Sequence, residues 1–193
     1  NDIVVNDPTG QELFQFGTNG GGNGQFRQPR GLAFDANDNL YVVDNYNLRI
    51  QVFDANGTFL YKFGSKGMNP GQFAPGNDLR GIDVDSQNGW VYVVDAASGY
   101  VNKFDLNGNY LLRFGGFGPG DGRFIGGGRD VAVDGNRNVW GGDMPGFRTQ
   151  ACGWSRSYSS TTMVRSSTSS PTHRDTQSMS SGASPAVLRA RAA

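Results

Sequence analysis

Short apolar runs alternate with polar turn residues over most of the first 148 positions. The most regular stretch predicts four strands, at Gly31–Asp35, Leu40–Asp44, Arg49–Phe53 and Thr58–Phe63. Asn, Asp and Gly separate these runs, and such clusters are typical of turns between strands. Asn56-Gly57 favours a tight hairpin because both residues tolerate positive φ. The stretch therefore predicts a four-stranded antiparallel meander.

The meander recurs along the chain. The predicted first strands begin at residues 31, 81 and 130, which spaces them 50 and 49 residues apart. Units of roughly 40–50 residues with four strands each are typical of propeller blades, which bury their faces by stacking radially. Ile3–Val5 and Glu12–Phe16 add the outer half of an earlier blade. We therefore expect an all-β protein with about three blades in residues 1–148.

The recurring pieces also carry a family resemblance. Pro-Arg-Gly-Leu-Ala-Phe-Asp, Asn-Leu-Tyr-Val-Val-Asp and Leu-Arg-Ile-Gln-Val-Phe-Asp, followed by Gly-Thr-Phe-Leu and Phe-Gly, resemble the NHL repeat. The resemblance extends from Ile3 to about Arg148 and implies a six-bladed β-propeller. Members of this family include protein-binding and RNA-binding modules, exported sensor domains of bacterial kinases and an amidating lyase domain. The resemblance thus indicates the fold more narrowly than the function.

Three arginines stand directly before or at the start of the predicted first strands. They are Arg30, Arg80 and Arg129. In propellers the first strand lines the central channel, so these side chains should approach one rim of it. Guanidinium groups there favour an anionic ligand or an acidic peptide. The alternative is that each arginine pairs with an Asp of a neighbouring blade.

Aspartates recur with the same period. Those at the ends of first and third strands are typical of turns, since Asp bonds backbone N–H groups a few residues on. The second strands also end in Asp, and these residues are predicted either to hold turns or to form a polar or cation site on one propeller face. They are Asp44, Asp95 and Asp143. Arg49 is placed to pair with Asp44, but blade two has Tyr100 at that position.

A phenylalanine recurs in the Gly-rich connection before each first strand. These residues are Phe26, Phe73 and Phe124. We predict that they plug the gap between neighbouring blades, with ligand stacking as the alternative.

Little acid–base chemistry is available in the repeats. The one histidine, His173, lies beyond them, so a His triad, a His-ligated zinc or a His general base is not expected in the body. The amidating lyase activity is discounted for the same reason. The stretch 115–120 is Gly-rich but lacks the Lys-Ser/Thr of a phosphate loop. We expect no catalytic residue, no metal site and no cofactor.

These features favour a binding or scaffold module for a protein, peptide or glycan partner. The alternatives are a lyase-type or lactonase-type propeller enzyme and an RNA-binding surface. Residues 1–148 hold 12 Lys and Arg against 16 Asp and Glu, a formal charge of −4, which disfavours nucleic acid. No apolar run approaches the roughly 20 residues of a membrane helix. No signal sequence is visible, but the chain begins in mid-repeat without Met, which leaves the compartment open, an exported bacterial one included.

The composition changes at Thr149. Residues 149–193 contain 12 Ser and 6 Thr but no Phe, Ile or Lys, and the repeat pattern stops. This predicts either a disordered Ser/Thr/Arg-rich tail or a frameshifted stretch, with order ending near Arg148. An open arc of three blades leaves apolar faces and strand edges uncovered. We therefore expect this polypeptide to be poorly soluble or to self-associate, with two arcs completing one ring as one arrangement.

Overall fold

The computed structural model describes residues 1–143 and 149–152 of the 193-residue chain. These residues form strands and one short 3-10 helix, η1 (Asn45–Asn47), and no helix among them is long and apolar enough to cross a membrane. In chain order the strands are β1 (Ile3–Asn6), β2 (Glu12–Phe16), β3 (Thr18–Asn19), β4 (Gln25–Phe26), β5 (Pro29–Phe34), β6 (Leu40–Asp44), β7 (Arg49–Phe53), β8 (Phe59–Phe63), β9 (Leu79–Asp85), β10 (Trp90–Asp95), β11 (Tyr100–Asp105), β12 (Tyr110–Gly115), β13 (Gly128–Val133), β14 (Val139–Asp143) and β15 (Thr149–Cys152).

The larger sheets follow one another in chain order. Blade 1 has the strand order β5-β6-β7-β8 and blade 2 the order β9-β10-β11-β12, and both are antiparallel meanders. The N-terminal half-blade, β1 and β2, precedes them, and the three-stranded blade 3, β13 to β15, follows. The described chain is thus all-β and built from propeller blades, as the sequence predicts.

The turn prediction for the recurrent aspartates is confirmed at the ends of first and third strands. Four of these carboxylates accept hydrogen bonds from the backbone N–H groups two and four residues later, and Asp85 accepts one from Asn88, three residues later, at 3.1 Å. Asp35, for example, accepts from Asn37 and Asn39, both at 2.9 Å. The same pair of bonds recurs at Asp54, Asp105 and Asp134. These local bonds end the strands where the sequence predicts.

The first strands of the blades lie side by side. β9 packs against β5 on one side and against β13 on the other, which is the arrangement predicted for strands nearest a propeller axis. Glycine permits this approach at two positions. A Cβ at Gly31 would lie 2.5 Å from the Arg80 carbonyl oxygen, and one at Gly81 would lie 2.7 Å from Cα of Asp130. Any side chain there would push the blades apart.

The recurrent phenylalanines fill the spaces between sheets, which confirms the packing prediction. Phe73 is buried among residues of blades 1 and 2, with its ring 5.8 Å from that of Phe104. Phe26 packs between the N-terminal half-blade and blade 1, and Phe124 packs between blades 2 and 3. Each ring lies against the glycine that follows the fourth strand of the preceding sheet or ends it. These three residues, called the plug phenylalanines here, therefore join consecutive blades.

Blade 3 continues past the boundary expected near Arg148. β15 pairs with β14 from Gly142↔Thr149 to Val139↔Cys152, in the position that β7 has beside β6. The structure thus has a third strand in four residues of the predicted tail. The rest of that predicted tail, 153–193, lies outside the described residues, as do 144–148.

Candidate functional site

The first strands begin and the second strands end at the same edge of the blades, called the rim here. Strand register pairs the start of each first strand with the end of the second strand. All site residues predicted from the sequence therefore lie along the rim. They are Arg30, Arg80 and Arg129 on the first strands and Asp44, Asp95 and Asp143 on the second strands.

Two rim arginines share one carboxylate. Arg30 Nη1 donates to Asp78 Oδ1 at 2.8 Å, across the boundary between blades 1 and 2. Arg80 Nη2 lies 2.8 Å from Oδ1 and 2.9 Å from Oδ2 of the same carboxylate. Arg30 also donates to the carbonyl oxygen of Leu79 at 3.4 Å and to the side chain of Gln28 at 3.2 Å. Two guanidiniums facing one carboxylate leave a net positive charge.

The charge state of Asp78 follows from these contacts. Burial opposes ionisation of Asp78, but the hydrogen bonds and charges of Arg80 and Arg30 outweigh it and hold the pKa below the usual 3.8. Asp78 was not among the residues that the sequence singled out. Its signal was a departure from the repeat, because Gln28 and Gly127 occupy the equivalent positions of the other blades.

The three arginines therefore do not behave alike. The pairing of Arg30 with the neighbouring blade matches one of the two sequence alternatives, although its partner is not a recurrent Asp. Arg80 pairs within its own blade. Arg129 forms no ion pair within residues 1–143, and its half-buried side chain has an Nε without a hydrogen-bond acceptor there. The Nε of Arg80 likewise lacks an acceptor.

The second-strand aspartates hold the loops that enter each blade. Each carboxylate accepts a hydrogen bond from the backbone N–H directly after a plug phenylalanine. The bonds join Arg27 to Asp44 at 2.8 Å, Ala74 to Asp95 at 2.9 Å and Ile125 to Asp143 at 2.6 Å. Within residues 1–143 and 149–152, no group of three His, Cys, Asp or Glu side chains is placed to hold a metal ion.

The surroundings of these aspartates differ between blades. Asp44 Oδ2 accepts from Arg49 Nε at 2.8 Å and from Gln51 Nε2 at 3.1 Å, and all three side chains are buried. Asp95 is buried too, but its Oδ1 has no hydrogen-bond partner in the described chain. Burial raises the pKa of Asp95 above 3.8, against the hydrogen bonds from Ala74 and Ser98.

Comparisons with known proteins agree with this architecture. Residues 28–113 match the family described as a 6-bladed beta-propeller. Protein brain tumor of Drosophila melanogaster is 29% identical over 142 residues, covering 52% of this chain and 14% of that protein. Protein lin-41 of Caenorhabditis elegans is 38% identical over 50 residues, covering 26% of this chain and 4% of that protein. The chain thus spans a small part of the length of these relatives.

Solved structures share the fold. Kuenenia stuttgartiensis hydrazine synthase superposes with a TM-score of 0.54 at 12% identity, over 78% of this chain and 39% of that chain. Virginiamycin B lyase from Staphylococcus aureus superposes with a TM-score of 0.51 at 12% identity, over 73% and 41%. At this identity the likeness concerns the fold alone. The recurrent sequence, the order of the sheets and the family match together show that the described chain is a row of β-propeller blades, and their sequence is similar to that of NHL-repeat proteins.

Proposed function

We propose that these blades form a binding module whose rim recognises an anionic partner, an acidic segment of a protein or peptide. The observation that carries this proposal is the cluster of Arg30 and Arg80 on one carboxylate. Guanidinium groups bind carboxylates through charge-assisted hydrogen bonds, often two at once. The rim thus already holds a carboxylate of the chain itself by the chemistry that a partner would use.

The ion pairing of the rim arginines supports an anionic partner. Three guanidiniums lie along the first strands, and Asp78 is the one carboxylate that pairs with any of them within residues 1–143. Arg129 provides the most direct contact because no ion pair occupies it there. The described residues contain no histidine, which favours binding over acid–base catalysis.

A binding titration tests this proposal. A fluorescent Glu-rich peptide is titrated with the protein, and anisotropy is measured for the wild type and for Arg129→Gln. We expect Arg129→Gln to weaken binding about tenfold, which corresponds to about 1.4 kcal/mol. Arg113→Gln is the matched control, because Arg113 lies on the fourth strand of blade 2 with its guanidinium 4.5 Å from the Tyr100 ring centroid.

Two outcomes would contradict the proposal. One is equal binding of the Glu-rich peptide by the wild type and Arg129→Gln. The other concerns the double substitution Arg30→Gln/Arg80→Gln. If it lowers the free energy of unfolding and leaves peptide binding unchanged, the two arginines serve to join blades 1 and 2 rather than to bind a partner.

A further inference from the structure

Blade 1 binds a guanidinium group of its own between the second-strand aspartate and the loop that enters the blade. The Nε of Arg49 donates to Asp44 Oδ2 at 2.8 Å. The two terminal nitrogens of Arg49 donate to loop carbonyl oxygens, that of Gly21 at 2.8 Å and those of Gly22 and Gln25 at 2.7 and 2.9 Å. One carboxylate and three carbonyl oxygens thus form a guanidinium site within this blade.

The loop that enters blade 2 has the same backbone hydrogen bonds. The N–H of Gly67 donates to the carbonyl oxygen of Phe73 at 2.9 Å, as that of Gly20 does to Phe26 at 3.1 Å. In each loop a glutamine side chain accepts from the N–H three residues earlier, at 2.9 Å in blade 1 and 3.1 Å in blade 2. The carbonyl groups equivalent to those that accept from Arg49 are therefore those of Met68, Asn69 and Gln72.

Blade 2 has no guanidinium of its own at this position. Asp95 pairs in register with Tyr100, as Asp44 pairs with Arg49. The Tyr100 ring lies against Arg113 of the fourth strand, with 4.5 Å from its centroid to the guanidinium carbon, and Tyr100 donates no hydrogen bond to Asp95. The acceptors of the blade 1 site thus recur in blade 2 without the arginine.

Two buried polar side chains of blade 2 are left without partners there. Asp95 is 2% exposed, and its Oδ1 has no hydrogen-bond partner in the described chain. Asn102 is 3% exposed, and its side-chain amide makes no hydrogen bond within residues 1–143 and 149–152. The equivalent Gln51 bonds both Asp44 and the carbonyl oxygen of Gln25. Buried polar groups are nearly always hydrogen-bonded, so two neighbouring exceptions point to a ligand.

We propose that blade 2 binds a guanidinium group from outside the chain, at the position that Arg49 fills in blade 1. The acceptors are the carboxylate of Asp95, the amide oxygen of Asn102 and the three loop carbonyl oxygens. A guanidinium carries five N–H donors in one plane and no acceptor, which matches a set made of oxygen acceptors. The group belongs either to a free small molecule or to an arginine side chain of a partner protein.

The charge of the site favours a monovalent organic cation over a metal ion. Asp95 is its one carboxylate, whereas calcium sites usually combine several carboxylates with carbonyl oxygens. A guanidinium is also more weakly hydrated than an ammonium ion, so it enters a partly buried site more easily. Met68 is 61% exposed and Asn69 is exposed, which places the loop side of the site at the surface. The inference does not depend on the proposed function, which concerns an anionic partner of the rim arginines.

An NMR titration of the 193-residue chain, labelled with nitrogen-15, tests the site. N-acetyl-arginine amide at millimolar concentrations should shift the side-chain amide of Asn102 and the backbone amides of residues 67–73 until they saturate. N-acetyl-citrulline amide has nearly the same shape without the charge, and it should cause no saturating shift. A peptide with one arginine among alanines distinguishes the two sources of the group. Tighter binding of the peptide than of the amide indicates a partner's arginine, and equal or weaker binding indicates a free small molecule.

Two variants remove the site without removing stability. Asp95→Asn takes away the carboxylate and should weaken binding at least about tenfold. Tyr100→Arg/Asn102→Gln supplies an internal guanidinium and should abolish binding of the external one. Neither substitution leaves a buried charge unpaired, so the loss cannot be attributed to unfolding. Asp38→Asn is the matched control, because it removes one carboxylate from an exposed turn, and it should bind as the wild type does.

Three results would overturn the proposal. The first is the absence of any saturating shift with N-acetyl-arginine amide, which would mean that water satisfies Asp95 and Asn102. The second is an equal shift with N-acetyl-citrulline amide or potassium chloride, which would mean that the site does not recognise a guanidinium. The third is undiminished binding by Tyr100→Arg/Asn102→Gln, which would place the contact elsewhere. None of these results concerns the binding of a Glu-rich peptide by Arg129, so the two proposals fail separately.

Discussion

Blades 1 and 2 share strand order, turns and a buried aspartate at the end of the second strand, yet only blade 1 neutralises that aspartate. Asp44 pairs with Arg49 and accepts a hydrogen bond from Gln51. Blade 2 has Tyr100 and Asn102 at the two positions, and Oδ1 of Asp95 is left without a partner in the described chain. The repeat thus specifies where the carboxylate lies. Whether its charge is neutralised depends on residues that differ between the two blades.

The difference extends to the loop that enters each blade. Arg49 donates beyond Asp44 to the carbonyl oxygens of Gly21, Gly22 and Gln25. The corresponding loop of blade 2 has the same closing bond, from Gly67 N–H to the Phe73 carbonyl oxygen, as Gly20 makes to Phe26 in blade 1. In the described chain, no arginine of blade 2 makes the bonds to this loop that Arg49 makes in blade 1. Blade 1 therefore ties its loop to its third strand by bonds that blade 2 does without.

The largest effect on stability should come from removing the Arg49 side chain. Arg49→Met leaves Asp44 as a buried charge without its ionic partner and removes the hydrogen bonds to three loop carbonyls, of which those of Gly22 and Gln25 keep another donor. We expect the free energy of unfolding to fall by about 3–5 kcal/mol, the usual cost of breaking a buried pair from one side. Urea denaturation measures it. Tyr100→Met at the equivalent position of blade 2 is the control, and an equal loss in both variants would contradict the comparison.

A smaller gain should come from giving blade 2 the residues of blade 1. Tyr100→Arg/Asn102→Gln places a guanidinium and an amide beside Asp95, so the pKa of that carboxyl should fall and the protein should gain about 1 kcal/mol. The same two substitutions in an Asp95→Asn background provide the control, since the gain should disappear when the carboxylate is absent. A gain that persists in that background would point to helpful contacts unrelated to Asp95.

The smallest effect should be the pH dependence that Asp95 imposes. Its folded-state pKa is raised, so its contribution to stability is full below the usual 3.8 and is lost as the pH rises through the folded-state value. Asp95→Asn should therefore match the wild type in stability at pH 3 and exceed it by about 1 kcal/mol at neutral pH, because the buried negative charge is removed.

The equivalent substitution in blade 1 gives the control for this pH series. Asp44→Asn should destabilise the protein at neutral pH, because it leaves Arg49 buried without its counter-charge. Thermal unfolding across the pH range measures both variants. If Asp95→Asn and Asp44→Asn change stability in the same direction at neutral pH, the two aspartates do not differ in the way described.

Much of the blade could be predicted from the sequence because the relevant forces are local. Alternating apolar residues and Asn, Asp or Gly turns predict the strands, and the bounds of β6 and β7 agree with the prediction at both ends. The turn bonds of Asp35 span four residues or fewer, so the sequence specifies them by itself. The pairing of Asp44 with Arg49 is similarly local, since five positions and one tight turn separate them.

The tertiary structure alone decided which residues of different blades meet. Asp78 binds Arg30 from 48 positions away, and a repeat pattern read along one blade contains no information on that contact. The exposure of Leu32 and Phe34 is also a property of the neighbouring blade, because the same alternation buries Ile82 and Val131. Strand formation depends on the order of residues along the chain, whereas the contacts along the rim and the exposure of these side chains depend on how the blades pack side by side.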